Sequence, residues 1–338
     1  MKRIFLTICL VLTVAIPFYA QQIPKEINLQ EEVELGGIKQ WIQIRGADKA
    51  NPILLFLHGG PGFPEMPLTY LDSKELEKHF IVVNWDQRGC GKSYYPDLPK
   101  ETLTLEQILS DTKELVQFLK HRYSKNKIFL VGHSWGSILG IYSVSEHPED
   151  FYAYVGMGQV INSNEGEMIS YQYALNKAIE AKDTVSVNQL KEIGLPPYKG
   201  YQSTSIQRNI LGKYNGVFGE KLTYPDLIRI INQSPDYTQK DKQDFMTIFI
   251  QVNNQMWAQV TAVDLTGIKE IDVPIYFFLG KHDYSVHFEL AERYLKKLKA
   301  PYKEVIWFEN SGHYPNLEEP EKYQDVLINK VLKNTLSQ

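Results

Sequence analysis

The stretch Ile128-Phe129-Leu130-Val131-Gly132-His133-Ser134-Trp135-Gly136 decides how this chain is read. Four consecutive apolar residues without polar alternation describe a strand buried on both faces, which suits the middle of a parallel sheet. After Trp135 the pattern turns helical, to about Glu146. Between strand and helix, Gly132 and Gly136 bracket Ser134. Small residues on both sides of a serine permit a tight, strained strand-to-helix turn that lifts the hydroxyl above the sheet. The flanking elements matter, because an isolated Gly-x-Ser-x-Gly run is a common chance match.

Outward from this point the same alternation recurs. Upstream, Gln40 to Arg45, Pro52 to His58 and Phe80 to Trp85 are β-type runs, and Leu105 to Arg122 carries Leu105, Ile108, Leu109, Leu115, Phe118 and Leu119 at helical spacing. Strand, helix, strand implies a parallel crossover. Downstream, Phe151 to Met157 is a further strand. The alternation then lapses between about Gln159 and Asp264, a segment rich in Gln, Asn, Tyr and Lys with helices near Ser170 to Lys182 and Asp241 to Val260. It resumes with a strand at Val273 to Leu279, a helix at His287 to Leu298, a strand at Val305 to Phe308 and a last helix from about Glu321. The expected fold class is α/β: a mostly parallel central sheet flanked by helices, built from residues 21–158 and 266–338, with a helical unit inserted at 159–265.

The bulk properties agree with an enzyme-sized globular protein. The chain has 338 residues, 43% of them hydrophobic and 22% charged, enough for a sizeable core. Its formal charge is −4 with the two signs interspersed and no long basic run, which argues against nucleic acid as a partner. The first twenty residues stand apart. Lys2 and Arg3 precede an apolar run from Ile4 to Ile16, then Pro17 and a cleavage point after Ala20, the pattern of a signal peptide. The run is shorter than the roughly 20 residues a membrane-spanning helix needs. The expectation is therefore export, to a periplasm or the medium, without stable membrane insertion after removal of the segment; a retained anchor or a lipoprotein is the weaker alternative. Loss of the segment would remove Cys9 and leave Cys90 alone, so no intrachain disulfide would form.

A serine hydroxyl is a poor nucleophile at neutral pH and needs a base, itself held by a carboxylate. Asp283 follows the buried strand Val273 to Leu279 in Gly280-Lys281-His282-Asp283, and His313 follows the last strand in Ser311-Gly312-His313. All three groups then lie just after strands, at one edge of the sheet, where open α/β sheets place their sites. Ser, Asp, His is the chain order of α/β-hydrolases. An oxyanion would be held by backbone N–H groups: that of Trp135, immediately after the serine, and that of Gly60 in His58-Gly59-Gly60-Pro61-Gly62. Other histidines fit less well. His133 occupies a variable position of the turn, His282 neighbours the acid, His58 holds a loop, and His79, His121, His147 and His287 sit in polar contexts that read as solvated. No histidine pair has the spacing of a zinc site, so a metal is not needed.

With these residues in hand, the chain resembles the proline iminopeptidases and their relatives in the α/β-hydrolase superfamily, over nearly all of the chain after residue 20. The most specific matches are His58 to Gly62 and Asp86-Gln87-Arg88-Gly89-Cys90-Gly91-Lys92-Ser93. The resemblance implies a helical cap over the site, no cofactor, and cleavage of an N-terminal proline or similar residue from short peptides. It also makes Asp86 and Arg88 buried structural groups and places Cys90 near the site. Members of that family read the free α-amine with carboxylates of the cap; here Glu165 and Glu167 in Asn164-Glu165-Gly166-Glu167 are the acidic pair nearest a predicted sheet edge, with a solvated acidic turn as the alternative. Tyr171, Tyr173 and Trp257 supply an aromatic cap lining. The loop continues as Phe63-Pro64-Glu65-Met66-Pro67, less glycine-rich than the family pattern, and together with the export segment this loosens the expectation of strict proline specificity. The alternatives are an esterase or lactonase acting on small apolar acyl groups, and a non-catalytic binding protein of the same fold.

Overall fold

The computed structural model describes residues 25–198 and 200–336; the expected export segment, residues 1–20, lies outside them. Strands β1 (Ile27–Leu35), β2 (Ile38–Gly46), β3 (Ile53–Leu57), β4 (Ile81–Trp85), β5 (Ile128–His133), β6 (Phe151–Met157), β7 (Ile275–Gly280) and β8 (Lys303–Phe308) form one sheet in the order β1-β2-β4-β3-β5-β6-β7-β8. β2 pairs antiparallel with β1 and β4, and the pairings from β4 through β8 are parallel. The continuous apolar runs occupy the centre, where β3, β4 and β5 are buried along their full length. Alternate residues serve opposite faces. Ile53, Leu55 and Leu57 join one core, while Leu54 and Phe56 join the other.

β1 is not among the strands the residue pattern predicts. It carries Glu31, Glu32 and Glu34 on the outermost strand, where solvent solvates the charges and unpaired backbone would otherwise invite further pairing. The chain passes from β3 to the neighbouring β4 and then back across β3 to β5. This reversal opens a crevice between the carboxyl ends of β3 and β5, the usual ligand position in open α/β sheets.

Helices α1 (Leu105–Arg122) and α2 (Trp135–Glu146) pack against the sheet, α1 capped by Thr104, whose side chain accepts from the Gln107 N–H at 3.1 Å. Between β6 and β7 lie α3 (Ser163–Glu180), α4 (Thr184–Ile193), α5 (Tyr201–Lys213), α6 (Tyr224–Gln233) and α7 (Gln239–Thr261). A Thr238–Asp241 capping box starts α7. These helices share a third apolar cluster with Met66, Leu68 and Tyr314, so they sit over the end of the sheet where the crevice opens. The chain closes with α8 (Phe288–Lys297) and a C-terminal helical region from Pro315. Among the described residues no helix is long and apolar enough to cross a membrane.

Candidate active site

Ser134 sits between β5 and α2 with φ 54° and ψ −118°, a backbone conformation that L-residues rarely adopt. Its N–H donates to the Met157 carbonyl at 2.9 Å, which pins the turn to β6. Gly136 shows why the motif needs glycine: a Cβ there would lie 2.0 Å from the Leu57 carbonyl oxygen. The turn thus runs directly against the end of β3, and the Ser134 side chain projects into the cavity above.

His313 and Asp283 reach that point from the ends of β8 and β7. The His313 Nδ1–H donates to Asp283 Oδ2 at 2.7 Å, and Asp283 Oδ1 accepts from the Ser285 and Val286 N–H groups, each at 2.9 Å. Both side chains are buried. Because a carboxylate offers no proton, this bond places the imidazole proton on Nδ1 and leaves Nε2 as the acceptor nitrogen. Ser134 and His313 line one cavity of about 310 Å³. That constellation can accept a proton from a hydroxyl and pass it on.

Gly60 and Trp135 line the same cavity. Trp135 opens α2, where helix geometry leaves its N–H without an intrahelical acceptor and the helix dipole favours negative charge. Gly60 has φ 113°, which turns the loop after β3 back toward the serine. Two side chains outside the predicted set hold this loop. Gln87 donates to the His58 carbonyl at 3.2 Å through Nε2 and accepts from the Trp135 indole at 3.0 Å. From α7, Asn253 Nδ2 donates to the carbonyls of Pro61 at 2.6 Å and Phe249 at 2.8 Å. His58 does hold a loop: its Nε2 accepts from the Gln87 N–H at 3.1 Å, and burial lowers its pKa to about 4.

Behind His313 lies a buried polar group. His133 donates through Nε2 to the His313 carbonyl at 2.8 Å, leaving Nδ1 unprotonated and 3.9 Å from Glu65 Oε2. Burial holds the His133 pKa well below its ordinary value. Asn316 Nδ2 donates to both Glu65 Oε1 and Asp72 Oδ2 at 2.8 Å. Burial raises Glu65 to about 8, with the Asp72 charge adding to it, and raises Asp72 to about 7.

This geometry belongs with what comparison finds. Residues 74–320 match the family model described as "Serine aminopeptidase, S33". The chain belongs to the serine aminopeptidase family. It is 34% identical over 307 residues to a probable aminopeptidase, YbaC, of Bacillus subtilis, covering 90% of this chain and 96% of the relative. It is 24% identical over 286 residues to a proline iminopeptidase of Heyndrickxia coagulans, covering 82% and 89%. The crystal structure of a proline iminopeptidase from Mycobacterium smegmatis superposes with a TM-score of 0.64 at 16% identity, over 91% of this chain and 99% of that one, a likeness of fold. The chain is thus an α/β-hydrolase, as its motifs predict.

In this member of the family the two predicted cap carboxylates part company. Glu165 is exposed, pairs with Arg293 at 2.5 Å and does not line the cavity. Glu167 does line it, but it is already paired with Arg208 of α5: Oε2 accepts from Nη1 at 3.1 Å and Oε1 from Nη2. Trp257 lines the cavity with Tyr201, their rings edge-to-face at 5.4 Å, whereas Tyr171 and Tyr173 are not lining residues. Asp86 and Arg88 are buried: Asp86 accepts from Tyr237 of the helical insertion at 2.5 Å, and Arg88 forks onto Asp111 of α1 at 2.7 and 3.0 Å. Cys90 is buried in the apolar core and is not a lining residue, and burial raises its thiol pKa well above the ordinary value. His287, which its sequence context reads as solvated, is instead buried, lines the cavity and stacks on Phe288 at 4.7 Å. The polar neighbours that suggested solvent are those of a helix start: His287 caps α8, accepting from the Glu289 N–H at 3.3 Å.

Proposed function

We propose that this protein is a serine-dependent aminopeptidase that releases one small N-terminal residue from short peptides through an acyl-enzyme. Ser134 attacks the scissile carbonyl while His313 Nε2 accepts its proton; the Gly60 and Trp135 N–H groups take the oxyanion, a stabilisation of about 3 kcal/mol for each such donor. His313 then returns the proton to the leaving amine, and water repeats the sequence to free the acyl residue. Asp283 keeps His313 in the required tautomer. The observation that carries this is the 2.7 Å His313–Asp283 bond beneath the cavity that also holds Ser134. The fold by itself serves amides and esters alike; the family and the relatives named as aminopeptidases favour the peptide.

The test compares aminoacyl p-nitroanilides with their N-acetylated forms and with p-nitrophenyl esters. Free-amine anilides are expected to turn over and blocked ones to fail, and Ser134→Ala is expected to lose at least roughly 10⁴-fold in kcat. Equal rates on free and blocked amines would remove the aminopeptidase reading, and full turnover by Ser134→Ala would remove the nucleophile.

A further inference from the structure

Among the described residues, the ionisable groups lining the cavity, its tyrosines aside, are Glu167, Arg208, His287 and His313. Burial lowers the pKa of His287, favouring its neutral form. Glu167 and Arg208 cancel. Beyond the Asp283 carboxylate held against His313, an N-terminal residue carrying only its α-ammonium would find no countercharge in this largely apolar lining that Arg208 does not already share, which is costly. A residue carrying an ammonium and a carboxylate would bring one.

The unspent hydrogen-bonding capacity points the same way. Arg208 has five N–H donors and, among the described residues, hydrogen-bonds only to Glu167, through Nη1 and Nη2. Its side chain is 14% exposed, so bulk water reaches little of it. One turn earlier on α5, Thr204 Oγ1 is buried without a hydrogen-bond partner, and so is Trp257 Nε1 on α7; these residues are 1% and 5% exposed and line the cavity. The indole and the guanidinium can only donate, and the hydroxyl can donate. Asn253 Oδ1, also buried without a partner on this lining, is an acceptor, but the free donors outnumber it, and a planar guanidinium suits a carboxylate.

We propose that Arg208, with Thr204 and Trp257, is a carboxylate-reading subsite that makes the enzyme select N-terminal glutamate or aspartate. The substrate side-chain carboxylate takes the free N–H groups of Arg208, and the α-ammonium takes the remaining lone pairs of Glu167, completing a ring of four alternating charges. This specificity rests on the aminopeptidase reading above, but the subsite does not need turnover to be detected.

Two measurements test it. In calorimetry on the full chain, L-glutamate, which carries both the ammonium and the side-chain carboxylate, is expected to bind at least about tenfold more tightly than L-glutamine, which has the same shape without the side-chain charge; equal affinities would overturn the subsite. In turnover, the glutamyl p-nitroanilide is expected to exceed the glutaminyl one by at least about tenfold in kcat/KM, with Arg208→Gln bringing that ratio to about one and Arg208→Lys keeping part of it. A glutaminyl rate equal to or above the glutamyl rate in the wild type, or a ratio retained in Arg208→Gln, would overturn it. Should Arg208→Gln fail to fold, the wild-type ratio and the calorimetry still decide. If no anilide is cleaved and a fluorophosphonate does not label Ser134, the acyl-enzyme reading falls, while the glutamate–glutamine comparison still decides the subsite.

Discussion

Asp283 is where a single atom's chemistry has the widest effect. Its Oδ1 is taken by two backbone N–H groups, so its Oδ2 faces His313 in one orientation and the imidazole proton is confined to Nδ1. An amide at this position keeps the shape and offers an N–H where the ring also carries one, which favours the other tautomer and turns Nε2 from acceptor into donor. Asp283→Asn is therefore expected to fold normally and lose roughly 10³- to 10⁴-fold in kcat. Steady-state kinetics on a free-amine anilide checks this, and a loss smaller than about tenfold would mean that Asp283 does not orient the base. The place of Asp283 beside His313 was legible in the sequence because it follows a buried strand and precedes the histidine in order. Its three hydrogen bonds were not, because they depend on how the turn after β7 closes.

Among the elements, the central strands were legible because they are short, apolar and bounded by turns; β1 was not, because an edge strand tolerates charge on its outer face. The insertion was legible as a lapse in alternation, with only α3 and α7 visible within it. α4, α5 and α6, of 10, 13 and 10 residues, are shorter than α3 and α7 and fall outside the expected helices, although α6 carries a clear apolar stripe of Leu227, Ile230 and Ile231. Pairings between distant elements left no local signal: Arg208 stands 41 residues from Glu167, and Asn253 stands 192 residues from Pro61. The second of these ties α7 to the loop that carries Gly60. Asn253→Ala removes both carbonyl contacts and frees that loop, so the proposed oxyanion donor Gly60 is misplaced by a change outside the proposed triad. The expected result is a fall in kcat of about tenfold, larger than the change in KM, together with about 1–2 kcal/mol of lost stability from the missing hydrogen bonds. An unchanged kcat would show that the loop keeps its shape without α7. A second tie, from the His313 N–H to the Val217 carbonyl at 2.7 Å, joins the α5–α6 connection to the proposed base, so the inserted helices bear on both halves of the site.

At the scale of the whole molecule, the buried ionisable groups set a pH dependence whose sign can be worked out. Burial raises Glu65 to about 8 and Asp72, Asp86 and Glu318 to about 7, from ordinary values of 4.5 for the glutamates and 3.8 for the aspartates. These acids hold protons more tightly folded than unfolded, so the stability they contribute is complete below the unfolded values and is lost as pH rises through the folded ones. Buried His58 and His133 act oppositely: their pKa values are lowered, so their contribution grows as pH rises toward 6.5. The two sets oppose each other in mild acid. Above pH 6.5 the histidines are neutral whether folded or not, and the acids act alone. The urea midpoint is therefore expected to fall steadily from pH 6.5 to about 8.5, at constant m-value. Glu65→Gln keeps the acceptor that Asn316 Nδ2 uses and removes the proton equilibrium, so it should flatten the upper part of this decline, between pH 7 and 8.5. A midpoint that rises across this range, or a Glu65→Gln profile parallel to the wild type, would show that Glu65 is not the group giving up its proton there.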